Sequence, residues 1–208
     1  MNFLQFREAF FEQGIFSTRQ VRLMFPGFNQ DNLLFWQKKG YIKKLRNTWY
    51  CFTEFLSQPD AQFIIANAIY SPSYISHQQA LIYYGMIPEF IVDSTSVTTR
   101  KTASFEVEGR TYKYYNIKKE LFFGYGYIEL NIKGRKRNVL MATREKALLD
   151  LLYYYSFYRN QSDLEQLRLN DSVLEDELNE NRLQSYLDRF NSKTLNRKVK
   201  TIQKIYNL

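Results

Sequence analysis

At Gly40 the chain changes rhythm. On its N-terminal side Leu33 and Trp36 stand one helical turn apart, in a segment running from about Asn29 to Lys39. On its C-terminal side YIKKL and TWYCF read as strands around a turn at Arg46-Asn47. Glycine suits that junction, because it takes the left-handed conformation that closes a helix. Two helical segments come before it. Phe3, Phe6, Phe10 and Phe11 recur at helical spacing up to Gly14. Ser17 is then placed to cap TRQVRLMF, which Pro26-Gly27 stops.

Three helices followed by a hairpin is the element order of a winged helix-turn-helix, and the charges fit that order. In such a fold the second helix of the pair enters the major groove and its first residues meet base edges. Here that helix opens with Asn29, Gln30, Asp31 and Asn32. An amide donates and accepts together, which bidentate contact with adenine requires. Asn29, Gln30 and Asn32 are therefore the predicted base readers, while Asp31 either accepts from cytosine or complements the helix dipole. Thr18, Arg19, Lys38, Lys43, Lys44 and Arg46 are the predicted phosphate contacts, positioning what the amides specify. Lysines at a helix end and on an exposed hairpin also serve as a plain solvated face, so the cluster alone does not decide.

The bulk properties agree with an anionic partner without naming one. The 208 residues carry a net charge of +8, and the sequence pI is about 9.4. Aromatics make up 17% of the chain, 17 Tyr and 17 Phe against 2 Trp, enough to fill a core with rings that also carry hydroxyls. Cys51 is the single cysteine, so no intrachain disulfide forms, as in a reducing compartment. Arg7, Glu8 and Glu12 interrupt the N-terminal segment where a signal peptide needs an apolar run, and no stretch has the length of a membrane span. A cytoplasmic protein with no membrane association is expected.

SQPD at 57–60 divides the chain into a winged helix at 1–57 and an α+β domain at 58–160, with a helical extension at 161–208. In the second domain, 61–69 and 76–84 read as helices about an SPS turn, and FIVDSTSVTTR as extended. SFEVEGRTYKYYNI and YGYIELNIKGRKRNVLMA read as antiparallel hairpins turning at Glu108-Gly109 and near Gly134. Thr143 is placed to cap a helix whose Ala147, Leu148, Leu151, Leu152 and Tyr155 make one apolar stripe. Within it Lys146 and Asp150 read as a modest pair four residues apart, worth about 0.3–0.5 kcal/mol. In the extension, 161–180 holds seven acids and one base, and 181–208 seven bases and one acid. Leu183, Leu187 and Phe190 share a face, as do Leu195, Val199 and Ile202, with Arg197, Lys198, Lys200 and Lys204 on the polar side. The two charged stretches pair with each other, or the basic helix and Gly134–Arg137 widen a phosphate-binding surface.

Three stretches carry a family resemblance. LLFWQKKGYIKKLRNTWYCF resembles the N-terminal winged helix of AbiEi-type antitoxins of type IV abortive-infection toxin–antitoxin systems. YISHQQALIYYGMIPE at 74–89 resembles that family's Y-I-S-x-x-x-A-L-x-x-x-G segment, and NVLMATREKALLDLLYY at 138–154 its V-A-x-x-E-K-A-L-L-D-L-L segment. The resemblance implies a repressor of its own operon that binds inverted repeats in duplex DNA. It also implies a nucleotidyltransferase-like toxin as functional partner, with direct contact not required. Tyr84 departs from the pattern, standing where many relatives have His, and the chain beyond about residue 160 matches nothing in it. A stand-alone regulator and an interaction module without a toxin remain open.

Catalytic signatures are sparse. His77 is the single histidine and Cys51 lies far from it, so zinc-type spacing is absent. Gly124-Tyr-Gly126 lacks the remainder of a phosphate-binding loop. Glu106 and Glu108 are placed to alternate on one strand face as Mg²⁺ ligands of a nuclease would, but no acid-x-Lys triplet follows, and Lys113 lies across a turn. Neither catalysis nor a cofactor is expected.

Overall fold

The computed structural model describes residues 1–88, 93–132 and 134–208. Residues 89–92, which include the start of the FIVDSTSVTTR stretch, and Lys133 lie outside the described residues. The described residues are mixed α+β, with two sheets, and separate into two compact units. One comprises 1–70 and 129–137, the other 71–128 and 138–208.

In the first unit α1 (Phe3–Phe10), β1 (Ile15–Ser17), α2 (Thr18–Met24) and α3 (Asp31–Lys38) precede the hairpin β2 (Ile42–Arg46) and β3 (Trp49–Phe52). Two short helices, α4 (Thr53–Leu56) and α5 (Ala61–Ile69), complete it. Ser17 caps α2 as its position predicts: its hydroxyl accepts from Gln20 N while the Gln20 side chain accepts from Ser17 N at 2.7 Å. Ile15–Ser17 is itself a strand, which three residues before a helix did not reveal. It pairs antiparallel with β3, giving the sheet order β1-β3-β2. The central strand β3 is accordingly buried at Tyr50, Cys51 and Phe52.

The core of this unit is aromatic. Phe6 lies 4.9 Å from Phe16 in an edge-on contact and 4.7 Å from Trp36, ring centre to ring centre. Phe52 meets Phe16 at 5.4 Å. Such pairs add about 0.5–1.5 kcal/mol each beyond burial. The turn falls at Asn47-Thr48, one residue later than the sequence suggests, with Asn47 left-handed at φ 42°. Residues 129–137 supply Arg135, which pairs with Glu12 at 2.7 Å, and Arg137, which donates to the Glu12 carbonyl.

The second unit begins with β4 (Ser73–Ile75), α6 (His77–Tyr83), β5 (Ser94–Thr98), β6 (Ala103–Val107) and β7 (Arg110–Asn116). A 3-10 turn at Lys119–Leu121 leads into β8 (Tyr125–Ile132) and β9 (Arg135–Ala142), of which residues 129–137 belong to the first unit. The helices α7 (Arg144–Tyr154), α8 (Gln161–Glu165), α9 (Asp171–Glu177), α10 (Glu180–Phe190) and α11 (Lys193–Tyr206) follow. Glu108 and Gly109 form the β6–β7 turn, both left-handed. The sheet order is β6-β7-β5-β4-β9-β8, and it is mixed rather than antiparallel as expected. The β6–β7 hairpin folds back so that β7, not β6, lies against β5, which makes that contact parallel. Such a contact is invisible to local periodicity. The region 161–208 packs within this same unit, Leu164, Leu174, Leu187, Leu195 and Ile202 all being buried.

Candidate nucleic-acid interface

The register of α3 follows from two residues. Leu33 and Trp36 are buried, so one face of the helix is fixed inward. The positions turned outward are Asp31, Leu34, Phe35 and Lys38, and Leu34 and Phe35 are 58% and 54% exposed. That stripe is not the one expected from the amides. The helix starts at Asp31, later than Asn29. Asn29 precedes it, and its side-chain oxygen accepts from Asp31 N at 2.9 Å. Gln30, with its amide oxygen turned to Arg22, accepts from the guanidinium Nε at 2.8 Å. Asn32 is half-buried. Asn29 and Gln30 are exposed but engaged locally, and the exposed stripe of α3 is part apolar, ending in cations.

The predicted phosphate contacts divide similarly. Arg19, Lys38 and Lys44 are exposed, as is Lys39, whose ammonium lies over the Phe35 ring at 5.6 Å. Thr18 is half-buried and its N–H donates to the Thr48 carbonyl at 2.9 Å. Lys43 is half-buried and engaged. Arg46 is turned inward, contrary to its expected role. The β2–β3 register shifts between Lys44 and Arg46, a bulge that puts Leu45 into the core. Arg46 then donates to the Ile69 carbonyl at 2.7 Å and stacks over Tyr70 at 4.8 Å. A cation there satisfies a carbonyl left open at the C-terminal end of α5. The Gly134–Arg137 cluster is also spoken for: besides the two arginines on Glu12, Lys136 pairs with Glu129 at 2.9 Å.

In the second unit the two sequence stretches with family-like patterns meet at one buried network. Lys146 and Asp150 have side chains 0% exposed and form a direct ion pair, so the modest surface pair expected from their spacing is corrected. Lys146 Nζ also donates to the Tyr74 hydroxyl at 2.8 Å. Tyr74 and Ser76 donate to the other Asp150 oxygen at 3.0 and 2.8 Å. Burial pushes the Asp150 carboxyl up and the Lys146 amine down, and each opposes the shift of the other. The helix is buried all round from Glu145 to Leu152, which a stripe of leucines does not announce. Glu145 itself accepts from Asn179 N at 2.9 Å.

His77 begins α6 with a left-handed φ of 55° and is fully enclosed. Its ring lies 4.7 Å from that of Tyr115. Burial, then the charge of Lys146, lowers its pKa to about 3, so it is neutral at pH 7. Tyr84 donates to the Ala142 carbonyl at 2.9 Å beneath the Arg144 guanidinium, and burial raises its pKa to about 12. The nuclease geometry is not formed. Glu106 is on edge strand β6 but Glu108 is in the turn, so the two do not share a strand face. Among the described residues no group of three His, Cys, Asp or Glu side chains could hold a metal. Lys113 pairs with Asp93 at 2.6 Å, and that bond holds the Asp93 carboxyl below the usual carboxylate range. No helix among the described residues is long and apolar enough to cross a membrane.

Comparison of the chain with protein-family models and with curated proteins gave no match.

Proposed function

We propose that the first unit is a winged helix-turn-helix that binds duplex DNA. On this reading the chain is a transcriptional repressor serving as the antitoxin of an AbiE-like type IV system and regulating its own operon. The observation that carries the DNA-binding half is the outward stripe of α3, Asp31, Leu34, Phe35 and Lys38, followed directly by a hairpin with Lys44 exposed. Leu34 and Phe35 are suited to thymine methyl groups and Asp31 to a cytosine amine, while Arg19, Lys38 and Lys44 meet phosphates. The antitoxin half rests on the resemblance of residues 74–89 and 138–154. Those stretches build the buried network of the second unit, which supports a scaffolding role for them.

Gel retardation with the chain's own promoter fragment tests the DNA-binding half. The three phosphate contacts of this unit contribute roughly −2.7 to the slope of log K against log salt. Lys38→Gln with Lys44→Gln should flatten it by about 1.8. Phe35→Ala should erase the preference for promoter over scrambled duplex while leaving the slope in place. Co-expression with a nucleotidyltransferase-like toxin encoded beside it tests the other half, growth rescue being the expected result.

A second reading has its own support. Leu23, 73% exposed, and Met24, 50% exposed, add to Leu34 and Phe35, and exposed apolar side chains of this size also suit a protein partner. An interaction module would show no change of promoter slope in the Lys38→Gln, Lys44→Gln variant and would lose a co-purifying protein on Phe35→Ala.

A further inference from the structure

The last helix carries a line of charge that the fold does not use. On α11, Lys193, Arg197, Lys200 and Lys204 are all exposed, at spacings of four, three and four residues. They line one open groove together with Asn196 and Thr201. The opposite face, Leu195, Val199 and Ile202, is buried in the second unit. Lys198 was expected among the polar residues, but it is buried and its ammonium donates to the Leu152 and Tyr155 carbonyls at 2.6 and 2.9 Å. The cations of the polar face are thus reduced to a single straight row.

That row works against the helix that bears it. Like charges three or four residues apart repel, and the row contains three such neighbours in succession. Lys193 sits in the first turn, where the dipole disfavours a cation, and no acid stands in that turn. The segment KTLNRKVKTIQKIY contains no acidic residue at all. Solubility alone would be served better by interspersed glutamates, which would have paired with these cations.

The occupant follows from what the face lacks. An amphipathic helix that lies in a membrane needs an apolar face, and the apolar face of α11 is spent on its own core. Protein interfaces centre on aromatic or apolar anchors and are poor in lysine, whereas the exposed positions of α11 hold no large apolar side chain. Single-stranded nucleic acid is held by stacking on aromatic rings, and none is exposed there. Duplex phosphates ask only for charge in a line. Over eleven residues the row is about 16 Å long, and one strand of a duplex presents a phosphate every 3.4 Å of axis.

We propose that the outer face of α11 is a sequence-independent binding surface for the sugar–phosphate backbone of duplex DNA. It uses none of the residues of α3 or the β2–β3 hairpin, so it stands or falls separately from the winged-helix reading.

The test uses the full chain and a labelled duplex of about 30 base pairs without promoter sequence, by fluorescence anisotropy between 50 and 200 mM salt. Replacing Lys193, Arg197, Lys200 and Lys204 together with Gln should reduce the salt slope by about 3.6 and weaken binding at least tenfold, with Lys193→Arg, Lys200→Arg and Lys204→Arg together close to wild type. Neutralising Lys118 and Lys119, exposed where the 3-10 turn begins, should leave the slope unchanged. An unaltered slope in the fourfold variant overturns the proposal, as does an equal loss per charge in the Lys118/Lys119 variant. Loss of binding to phosphatidylserine vesicles or to polyglutamate with duplex binding intact would overturn it too. Should the fourfold variant lose its helical circular dichroism, the four single Gln variants are measured instead, each expected to lower the slope by about 0.9. The Lys38/Lys44 variant separates the readings: if it alone weakens promoter binding, the winged helix stands and α11 does not. If only the α11 variant loses DNA, the reverse holds.

Discussion

Replacing Lys146 with Met should cost the second unit about 3–4 kcal/mol at pH 7, and the cost should shrink with falling pH. Among the described residues Lys146 supplies the one cation bonded to Asp150, whose other oxygen is held by Tyr74 and Ser76. Methionine fills the stem's volume but leaves Asp150 Oδ1 without a donor in a site with no exposure. A carboxylate so placed escapes by taking up a proton, since burial already drives its pKa upward. Protonating an aspartate with an unfolded pKa near 3.9 at pH 7 costs about 4 kcal/mol, which sets a ceiling on the penalty. The sign follows from the raised folded-state pKa. Stability from that group is complete below the unfolded value and is lost as pH rises. The deficit of the variant against the native chain should therefore fall by about 1.4 kcal/mol per unit, to roughly 1.5 kcal/mol at pH 5. Urea unfolding followed by far-ultraviolet circular dichroism at pH 5, 6 and 7 measures it. Lys146→Met with Asp150→Leu should be flat in pH and recover much of the loss, because both charges are gone. A deficit under about 1 kcal/mol, or one that does not shrink toward pH 5, would refute the buried-pair argument.

Three further outcomes are expected. His77 has its folded-state pKa depressed to about 3, so its contribution is present above pH 6.5 and lost as pH falls toward 3. His77→Asn, which tolerates the left-handed backbone, should remove an acid-side slope of up to about 1.4 kcal/mol per unit from urea titrations over that range. Ser17→Ala deletes the α2 capping box and should lower stability by about 1 kcal/mol, read as a drop in thermal midpoint. Lys198→Met strands the Leu152 and Tyr155 carbonyls at the end of α7 and should cost about 1–3 kcal/mol by urea unfolding, while an exposed lysine would cost almost nothing.

How much was legible in the sequence depends on the range of the signal. Local chemistry read well: the Ser17 and Thr143 caps and the Glu108-Gly109 turn are all in place. Each depends on a few neighbouring residues. Strands of three residues, β1 and β4, were missed because alternation needs more positions than they have. The parallel β5–β7 contact was missed because it depends on where a hairpin folds back. Burial of polar residues on helices was the largest gap. REKALLDLL places Lys146 and Asp150 as an exposed pair would be placed, and Lys198 stands among three exposed cations. Only the packing of other elements over those positions tells them apart, and that is a property of the whole unit.

The candidate interface was more legible than its first reading suggests. A helix turns about 100° per residue, so burying Leu33 and Trp36 sets the centre of the inward face midway between them. Asp31 and Lys38 then lie within about 10° of the opposite direction, with Leu34 and Phe35 about 50° to either side. Asn32 lies only about 70° from the inward centre. Ranking residues by chemistry favoured the amides because they match adenine; ranking them by angle selects the stripe that is exposed. The two criteria disagree here, and geometry has priority, since a side chain must reach a base edge before its hydrogen-bonding pattern can matter. A groove contact built on Leu34 and Phe35 would read thymine methyls through shape. Specificity would then be sensitive to thymine→uracil replacement, which removes the methyl and leaves every hydrogen-bonding group in place. An amide reader at Asn29 or Gln30 would not notice that change.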